Sequence, residues 1–307
     1  MQFDDNVKQL WDDIKKLKQE RNAVILAHYY QPPEIQEVAD FVGDSLELSR
    51  KAADTDAEVI VFCGVHFMAE SAAILSPDKK VVLPVESAGC PMADMVTADA
   101  LRAKKKQLPN TVVVSYVNTS AEVKAESDIC CTSANAVKII ESIPTDKEIL
   151  FVPDKNLGAN VARQANRKLT VWAGECPIHD NLTVEDVLAA KGQYPGAKVL
   201  MHPECRPEVV ELADYVSSTS GLLRYAAENE AAEFIVGTEE GILHQMRKQN
   251  PDKKFYLVHS KMVCKDMKYT TLPKLKEALE TLMPQITVPA DIREKALGSL
   301  ERMLAVK

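Results

Sequence analysis

The chain of 307 residues is 46% hydrophobic and 27% charged, with a formal net charge of −8. This composition is typical of a soluble globular protein. It has no apolar run near the roughly 20 residues of a transmembrane helix, and its first residues do not resemble a signal peptide. We therefore expect a cytoplasmic protein without a membrane partner. The acidic balance, with no basic stripe, argues against a nucleic-acid partner.

Helical and strand-like patterns alternate along the whole chain. The helical patterns cover residues 7–21, 98–108, 184–193, 273–282 and 290–304. The apolar, strand-like runs cover residues 23–30, 59–62, 111–118, 148–151, 197–204 and 233–236. Short continuous apolar runs between helices are typical of parallel sheets that are covered on both faces.

Landmarks of this pattern recur three times, at intervals of 86 or 88 residues. They are a polar residue that ends the first apolar run, a hydroxyl residue that opens a helix, and a cysteine. The three sets are His28, Tyr116 and His202; Ser45, Ser133 and Thr219; and Cys90, Cys176 and Cys264. Several landmarks in one order at nearly one period indicate a threefold repeat.

The repeat predicts an α/β protein with three homologous three-layer α/β/α sandwich domains, parallel sheets and a pseudo-threefold axis. We place the domains at residues 1–95 (joined by 272–307), 96–181 and 182–271. Functional residues of parallel α/β sheets lie beyond the carboxyl ends of the strands. Equivalent residues should converge on the axis, so the repeat predicts one shared central site with three parts.

The cysteines point to a metal centre. Seven cysteines without an export signal indicate a reduced compartment, so disulfides are the weaker interpretation. Three equivalent thiolates at Cys90, Cys176 and Cys264 could bind a [4Fe–4S] cluster with one iron free of protein, or a zinc ion with a fourth ligand. Three buried structural cysteines are the alternative. The other four cysteines have no threefold mates, and we interpret them as packing residues.

Polar side chains at the ends of the first strands form an acid–base set. Imidazole, phenol and carboxylate groups can transfer protons, and burial can tune their pKa values. A single strand-end histidine is more often structural, but three equivalent pairs aimed at one axis favour a pocket. The set consists of His28, Tyr30, Tyr116, Asn118, His202 and Glu204.

Ser45, Ser133 and Thr219 stand where helices begin. Serine and threonine suit helix capping, and the free N–H groups of a helix N-terminus also attract phosphate or carboxylate. Three such helix ends at one centre predict a substrate with several negative charges, which a net-acidic chain would bind locally.

Motifs along nearly the whole chain closely resemble, in order, those of the quinolinate synthase family. They include residues 28–31 (HYYQ), 40–45 (DFVGDS), 90–93 (CPMA), 176–179 (CPIH) and 202–205 (HPEC). The resemblance implies a [4Fe–4S] enzyme of bacterial and archaeal NAD biosynthesis. Its reaction condenses iminoaspartate with dihydroxyacetone phosphate to quinolinate, phosphate and water. A transient contact with L-aspartate oxidase, the enzyme upstream, stays open.

The resemblance also implies roles for single residues. The cluster ligands would be Cys90, Cys176 and Cys264, with the free iron acting as a Lewis acid. Glu204 and His202 would be base and acid in late steps, and we expect Tyr30 and Tyr116 to assist enolisation. The substrate-binding residues would be His28, Ser45, Asn118, Ser133 and Thr219.

Two other functions remain as alternatives. One is another [4Fe–4S]-dependent hydro-lyase with a different substrate, and the other is a non-catalytic iron–sulfur sensor. The sensor would explain the cysteines but not the acid–base set. A zinc enzyme lacks a clear fourth ligand. One departure from the family pattern is Tyr29, where asparagine is common, and its side chain should point to the other face of the strand.

Overall fold

The computed structural model describes residues 3–306, in which three α/β units follow one another along the chain. The helices of the first unit are α1 (Asp5–Glu20), α2 (Pro33–Val38), α3 (Ser45–Asp54) and α4 (His66–Leu75). Its strands are β1 (Ala23–His28), β2 (Phe41–Gly43), β3 (Val59–Cys63) and β4 (Lys80–Val82). A 3-10 turn at Ala93–Met95 follows this sheet.

The second unit repeats this order of elements. Its helices are α5 (Ala98–Gln107), α6 (Ala121–Ala125), α7 (Ala136–Ser142), α8 (Lys155–Gln164) and α9 (Pro177–Asp180). Its strands are β5 (Thr111–Tyr116), β6 (Ile129–Cys131), β7 (Glu148–Val152) and β8 (Thr170–Val171).

The third unit repeats the order again and leads into two C-terminal helices. The helices are α10 (Val184–Gln193), α11 (Pro207–Val210), α12 (Thr219–Glu228), α13 (Ile242–Gln249), α14 (Leu272–Thr281) and α15 (Ala290–Ala305). The strands are β9 (Lys198–Met201), β10 (Tyr215–Val216), β11 (Glu233–Gly237) and β12 (Lys254–Leu257). A 3-10 turn at Asp266–Lys268 precedes α14.

Each unit has a four-stranded, parallel sheet with the same topology. The strand orders are β2-β1-β3-β4, β6-β5-β7-β8 and β10-β9-β11-β12. The central strands are almost wholly buried, as their continuous apolar sequences require when helices cover both faces. The predicted three-layer α/β class is confirmed.

Each unit also has a short edge strand that the apolar pattern did not predict. These strands, β2, β6 and β10, are only two or three residues long. Such short segments carry no readable apolar period, so the sequence gives no signal for them.

An aspartate before each of these edge strands ties it to the neighbouring central strand. Its carboxylate accepts a hydrogen bond from a backbone N–H of the central strand. The bonded pairs are Asp40 with Ile25 at 2.8 Å, Asp128 with Val113 at 2.7 Å and Asp214 with Val199 at 2.8 Å. The repeat is therefore visible in hydrogen bonds as well as in topology.

A basic residue at the same point of each unit holds the end of a preceding helix. Cations near helix C-termini satisfy free carbonyl groups and complement the helix dipole. Lys79 donates to the carbonyl of Thr55, the C-cap of α3, Arg167 to that of Ile143 at 2.8 Å and Lys253 to that of Ala226 at 2.7 Å. These three residues therefore have a structural explanation.

The C-terminal helices pack back onto the first two units. α14 packs against α1 and β3, whereas α15 packs against α6 and β6 of the second unit and α4 of the first. Ala296, Leu300 and Met303 of α15 are fully buried. The domain boundaries stay predictions. Within residues 3–306, no helix is both long and apolar enough to cross a membrane.

Candidate active site

A cavity of about 270 Å³ is lined by residues from all three units. Every residue to which the sequence assigned a place in the site borders this cavity. They are His28, Tyr30, Ser45 and Cys90 of the first unit, Tyr116, Asn118, Ser133 and Cys176 of the second, and His202, Glu204, Thr219 and Cys264 of the third. The structure thus brings all twelve together, while their individual roles stay predictions.

Strand geometry explains how the first polar set reaches the cavity. β1 ends at His28, and alternate residues of an extended chain point to the same face. His28 and Tyr30 line the cavity, whereas Tyr29 turns its hydroxyl away to Glu47, at 3.2 Å. The same two-residue spacing in the other units pairs Tyr116 with Asn118 and His202 with Glu204.

A chain of polar contacts joins the first unit to the third. The Tyr30 hydroxyl lies 2.6 Å from Thr238 Oγ1, and Thr238 Oγ1 lies 2.9 Å from His179 Nε2. His179 Nδ1 is 2.7 Å from the Glu204 carboxylate. These contacts form one continuous polar chain from Tyr30 to Glu204 through Thr238 and His179.

Glu204 is a buried carboxylate between two histidines. Its Oε2 lies 3.6 Å from His202 Nδ1, and the His179 and His202 rings stack with their centroids 4.8 Å apart. Burial raises the pKa of Glu204, but the His202 and His179 imidazoles outweigh burial and hold that pKa at about 2. Glu204 is therefore ionised at neutral pH.

Two imidazoles and two phenols of the cavity are neutral at neutral pH. Burial lowers the pKa of His28 to about 3 and that of His202 to about 3. Burial, together with the Glu204 charge, raises the pKa values of Tyr30 and Tyr116 well above their usual range. The cavity thus combines the ionised Glu204 with neutral imidazoles at His28 and His202 and protonated phenols at Tyr30 and Tyr116.

The three predicted metal ligands share one local geometry. Each cysteine precedes a short turn or helix whose backbone N–H groups face its sulfur. The N–H of the residue three positions on lowers each thiol pKa, namely Ala93 for Cys90, His179 for Cys176 and Met267 for Cys264. N–H groups directed at sulfur favour the thiolate, which is the form that binds metals.

Burial acts against these N–H groups. Desolvation raises the pKa of Cys90 to about 12 and that of Cys264 to about 11, and it raises the pKa of Cys176 well above its usual range. Deprotonation of all three thiols therefore requires a positive charge at the centre of the cavity, as a bound metal group would supply.

The structure contains a compact group of possible metal ligands that includes only one of the three predicted cysteines. Among the described residues, the ligand atoms of Cys176, His179 and Glu204 all lie within 4.8 Å of one another. Cys90 and Cys264 border the same cavity but stand outside that group. The remaining cysteines are fully buried and do not line the cavity; they are Cys63, Cys130, Cys131 and Cys205.

The hydroxyl residues are not the helix caps. Asp44 caps α3 and Ser218 caps α12, so the hydroxyls of Ser45 and Thr219, one residue later, are not used for capping. Ser133 lies two residues before Asn135, the first flanking residue of α7. These three residues line the cavity at or near the starts of helices. Their position suits the binding of anionic groups.

Glu239 lines the cavity and pairs with Lys268, and the sequence pattern predicted neither residue. The fully buried Glu239 carboxylate accepts hydrogen bonds from the backbone N–H groups of Cys264, at 3.0 Å, and Gly241, at 2.7 Å. Lys268 Nζ lies 2.9 Å from Glu239 and donates to the Tyr30 carbonyl at 2.7 Å. This pair links a predicted metal ligand to the loop after β1.

The only sequence feature that points to Thr238 and Glu239 is the pair of glycines that flank them, Gly237 and Gly241. A Cβ on Gly241 would lie 2.7 Å from Tyr30 Cα and 2.8 Å from the Tyr29 carbonyl oxygen. Only glycine allows this close approach of the third unit to the first. The glycine spacing marks such an approach but does not identify the side chains between.

The repeated α/β units and the thiol, imidazole and carboxylate groups of their shared cavity define an enzyme with a composite active site. The model of the family described as quinolinate synthetase A protein matches residues 12–305, and the chain belongs to this family. The resemblance seen in the sequence is thus confirmed, and with it the prediction of an enzyme of NAD biosynthesis.

Individual relatives are similar over almost their whole length. A quinolinate synthase of Desulforudis audaxviator is 61% identical, covering 97% of this chain and 98% of the relative. One of Dehalococcoides mccartyi (strain 195) is 59% identical over 95% and 97%. One of the archaeon Methanosarcina barkeri is 54% identical over 97% and 98%.

Proposed function

We propose that this chain condenses iminoaspartate with dihydroxyacetone phosphate to form quinolinate, phosphate and water, and that it uses a [4Fe–4S] cluster. The observation that carries this proposal is the convergence of twelve residues from three units on one cavity. They combine metal-binding thiols, an acid–base set and anion-binding helix ends, which are the groups that this reaction requires.

Cys90, Cys176 and Cys264 would hold the cluster. Thiolates around one tetrahedral zinc ion lie within about 4 Å of one another, because Zn–S bonds are about 2.3 Å long. Only Cys176 belongs to the compact ligand group, so the wider arrangement of the three thiols supports a multi-iron cluster over zinc. When bound, such a cluster supplies a Lewis acid at the iron that no cysteine holds.

Both proposed substrates are anions, and the cavity binds anions through neutral donors. Ser45, Ser133 and Thr219 would hold phosphate or carboxylate with the adjacent helix N-termini. The neutral imidazole of His28 and the amide of Asn118 would orient a second carboxylate. Asn118 Oδ1 is buried and has no hydrogen-bond partner among the described residues, so it is free to accept from a substrate N–H.

Proton transfer would be divided between two sides of the cavity. Joining the substrates requires removal of protons from carbon and later loss of water. Glu204, ionised between His202 and His179, would act as the base, and His202 would return protons to leaving hydroxyl groups. Tyr30 would exchange its proton with His179 through Thr238, and Tyr116 would assist as a neutral phenol.

Anaerobic purification tests this proposal. The protein, reconstituted with iron and sulfide, should form quinolinate from iminoaspartate and dihydroxyacetone phosphate, with stoichiometric release of phosphate. A protein that binds the cluster but makes no quinolinate would point to another hydro-lyase. A protein that binds no iron under these conditions would refute the cluster. The cytoplasmic location and a contact with L-aspartate oxidase stay predictions.

A further inference from the structure

We propose that Asn160 and Asn156 of α8 are positioning residues that hold the loop after β9 in the geometry that the reaction needs. The loop, residues 202–205, carries His202 and Glu204. The helix belongs to the second unit and the loop to the third, so the contact joins two parts of the active site. The inference rests on the proposed function only for the measurements of activity; the measurement of hydrogen exchange does not depend on it.

Both asparagines bind the loop through backbone carbonyl groups. Asn160 Nδ2 donates to the carbonyl of Pro203 at 2.8 Å and to that of Cys205 at 2.9 Å. Asn156 Nδ2 donates to the carbonyl of Glu204 at 3.2 Å. Three successive carbonyl groups are thus held from one face of α8, because residues four apart share a helix face.

The contacts are buried and rigidly supported. Asn160 is 1% exposed and Asn156 is 3% exposed. Asn156 Nδ2 also donates to Asp180 at 2.8 Å, and Asp180 pairs with Arg206 at 3.2 Å, directly after the loop. Water cannot replace these bonds without entering the interface, so loss of a donor leaves buried carbonyl groups unsatisfied.

The other joints between units also hold backbone groups with polar side chains. From the first unit, Glu70 of α4 accepts a hydrogen bond at 3.1 Å from the N–H of Ala121, the first residue of α6, shortly after Tyr116 and Asn118. The three joints run from the first unit to the second, the second to the third and the third to the first. In each, a polar side chain of α4, α8 or α13 contacts the segment that follows the first strand of the next unit.

The joint from the third unit to the first closes the cycle. Gln245 of α13 donates to Gln36 Oε1 at 3.0 Å. Gln36 Nε2 donates to the carbonyl groups of Tyr29, at 2.9 Å, and Gln31, at 2.8 Å. Here too, buried amides fix the backbone on both sides of a catalytic residue, Tyr30. The recurrence supports positioning rather than incidental packing.

Asn160 interacts with the loop through its two donated hydrogen bonds. Its Oδ1 has no hydrogen-bond partner among the described residues, so truncation to alanine removes only the two donated bonds and the side-chain volume. The carboxylate of Glu204 must keep its 2.7 Å contact with His179. A shift of about 1 Å in such a group can reduce turnover about 100-fold.

The test compares Asn160→Ala with Asn250→Ala. Asn250 is also a buried asparagine, 8% exposed, but its amide donates only within its own helix region, to Met246. In Asn160→Ala we expect kcat to fall about 10- to 100-fold, with KM values within about threefold and iron content unchanged. Asn250→Ala should keep kcat within about twofold.

A second measurement reads the loop directly. Hydrogen exchange of backbone amides at residues 199–206 should accelerate in Asn160→Ala and Asn156→Ala, and not in Asn250→Ala. Unchanged exchange, or a fall in kcat that follows thermal stability equally in all three variants, would overturn the inference. If the wild-type protein made no quinolinate, the proposed function would fail, and the exchange experiment would still decide the positioning role.

Discussion

Buried imidazoles make the cavity sensitive to acid. The pKa of His28 is lowered to about 3 because burial disfavours the charged ring. An unfolded chain would protonate the same ring below its ordinary pKa of about 6.5. Between these values the unfolded state binds one more proton than the folded state, so the free energy of unfolding falls as pH falls.

His28→Gln should weaken this pH dependence. Between pH 6 and pH 4, we expect the slope of unfolding free energy against pH to decrease by up to about 1.4 kcal/mol per pH unit. Urea unfolding of metal-free protein at several pH values measures the slope. His66→Gln, at a side chain 44% exposed to solvent, is the matched control. Equal slopes for His28→Gln and the wild type would disprove the effect.

Glu204→Gln tests the proposed base. The substitution keeps size and polarity but removes the charge that lies 2.7 Å from His179. We expect kcat to fall by about 100-fold or more, with iron content and the visible spectrum unchanged. Glu37→Gln, at a carboxylate paired with His244 and Lys248 away from the cavity, serves as the control. Full turnover in Glu204→Gln would refute the role.

At the scale of elements, α15 holds the first two units together. Leu300 is fully buried in the core that includes residues of both units. Leu300→Ala should lower the free energy of unfolding by about 2–5 kcal/mol, measured by anaerobic urea unfolding. Leu188→Ala, at an α10 leucine 53% exposed, should change it by less than about 0.5 kcal/mol. Similar losses in both variants would contradict this account of α15.

Long elements were predictable because their apolar patterns extend over many residues. The predicted helix at 184–193 coincides with α10 (Val184–Gln193), and that at 290–304 differs from α15 by one residue. The edge strand β10, Tyr215–Val216, escaped prediction since two residues cannot show an alternating pattern. Its position is fixed instead by pairing with β9.

The residues of the site were predictable where the threefold repeat places an equivalent polar residue in each unit. His28, Tyr116 and His202 stand at matching positions, so one period located all three. Thr238 has no such support, because the residue that follows the matching strand end in the first unit is Gly64, which has no side chain. Its role depends on contacts with Tyr30 and His179 from other units, and no local sequence signal reports such contacts.

For the whole molecule, the threefold arrangement explains why distant cysteines can serve one centre. Each unit contributes one cysteine, and in each unit the backbone N–H of the residue three positions on is directed at the sulfur. A site built in this way needs all three units, and the loss of any one ligand leaves two thiols that cannot enclose a cluster.

Iron and sulfide content after anaerobic reconstitution tests this central claim most directly. Cys90→Ala, Cys176→Ala and Cys264→Ala should each lose most of the bound iron and the cluster absorption. Cys63→Ala, at a fully buried cysteine of β3 outside the cavity, should retain both. Wild-type iron content in any of the first three variants would contradict a cluster shared by the three units.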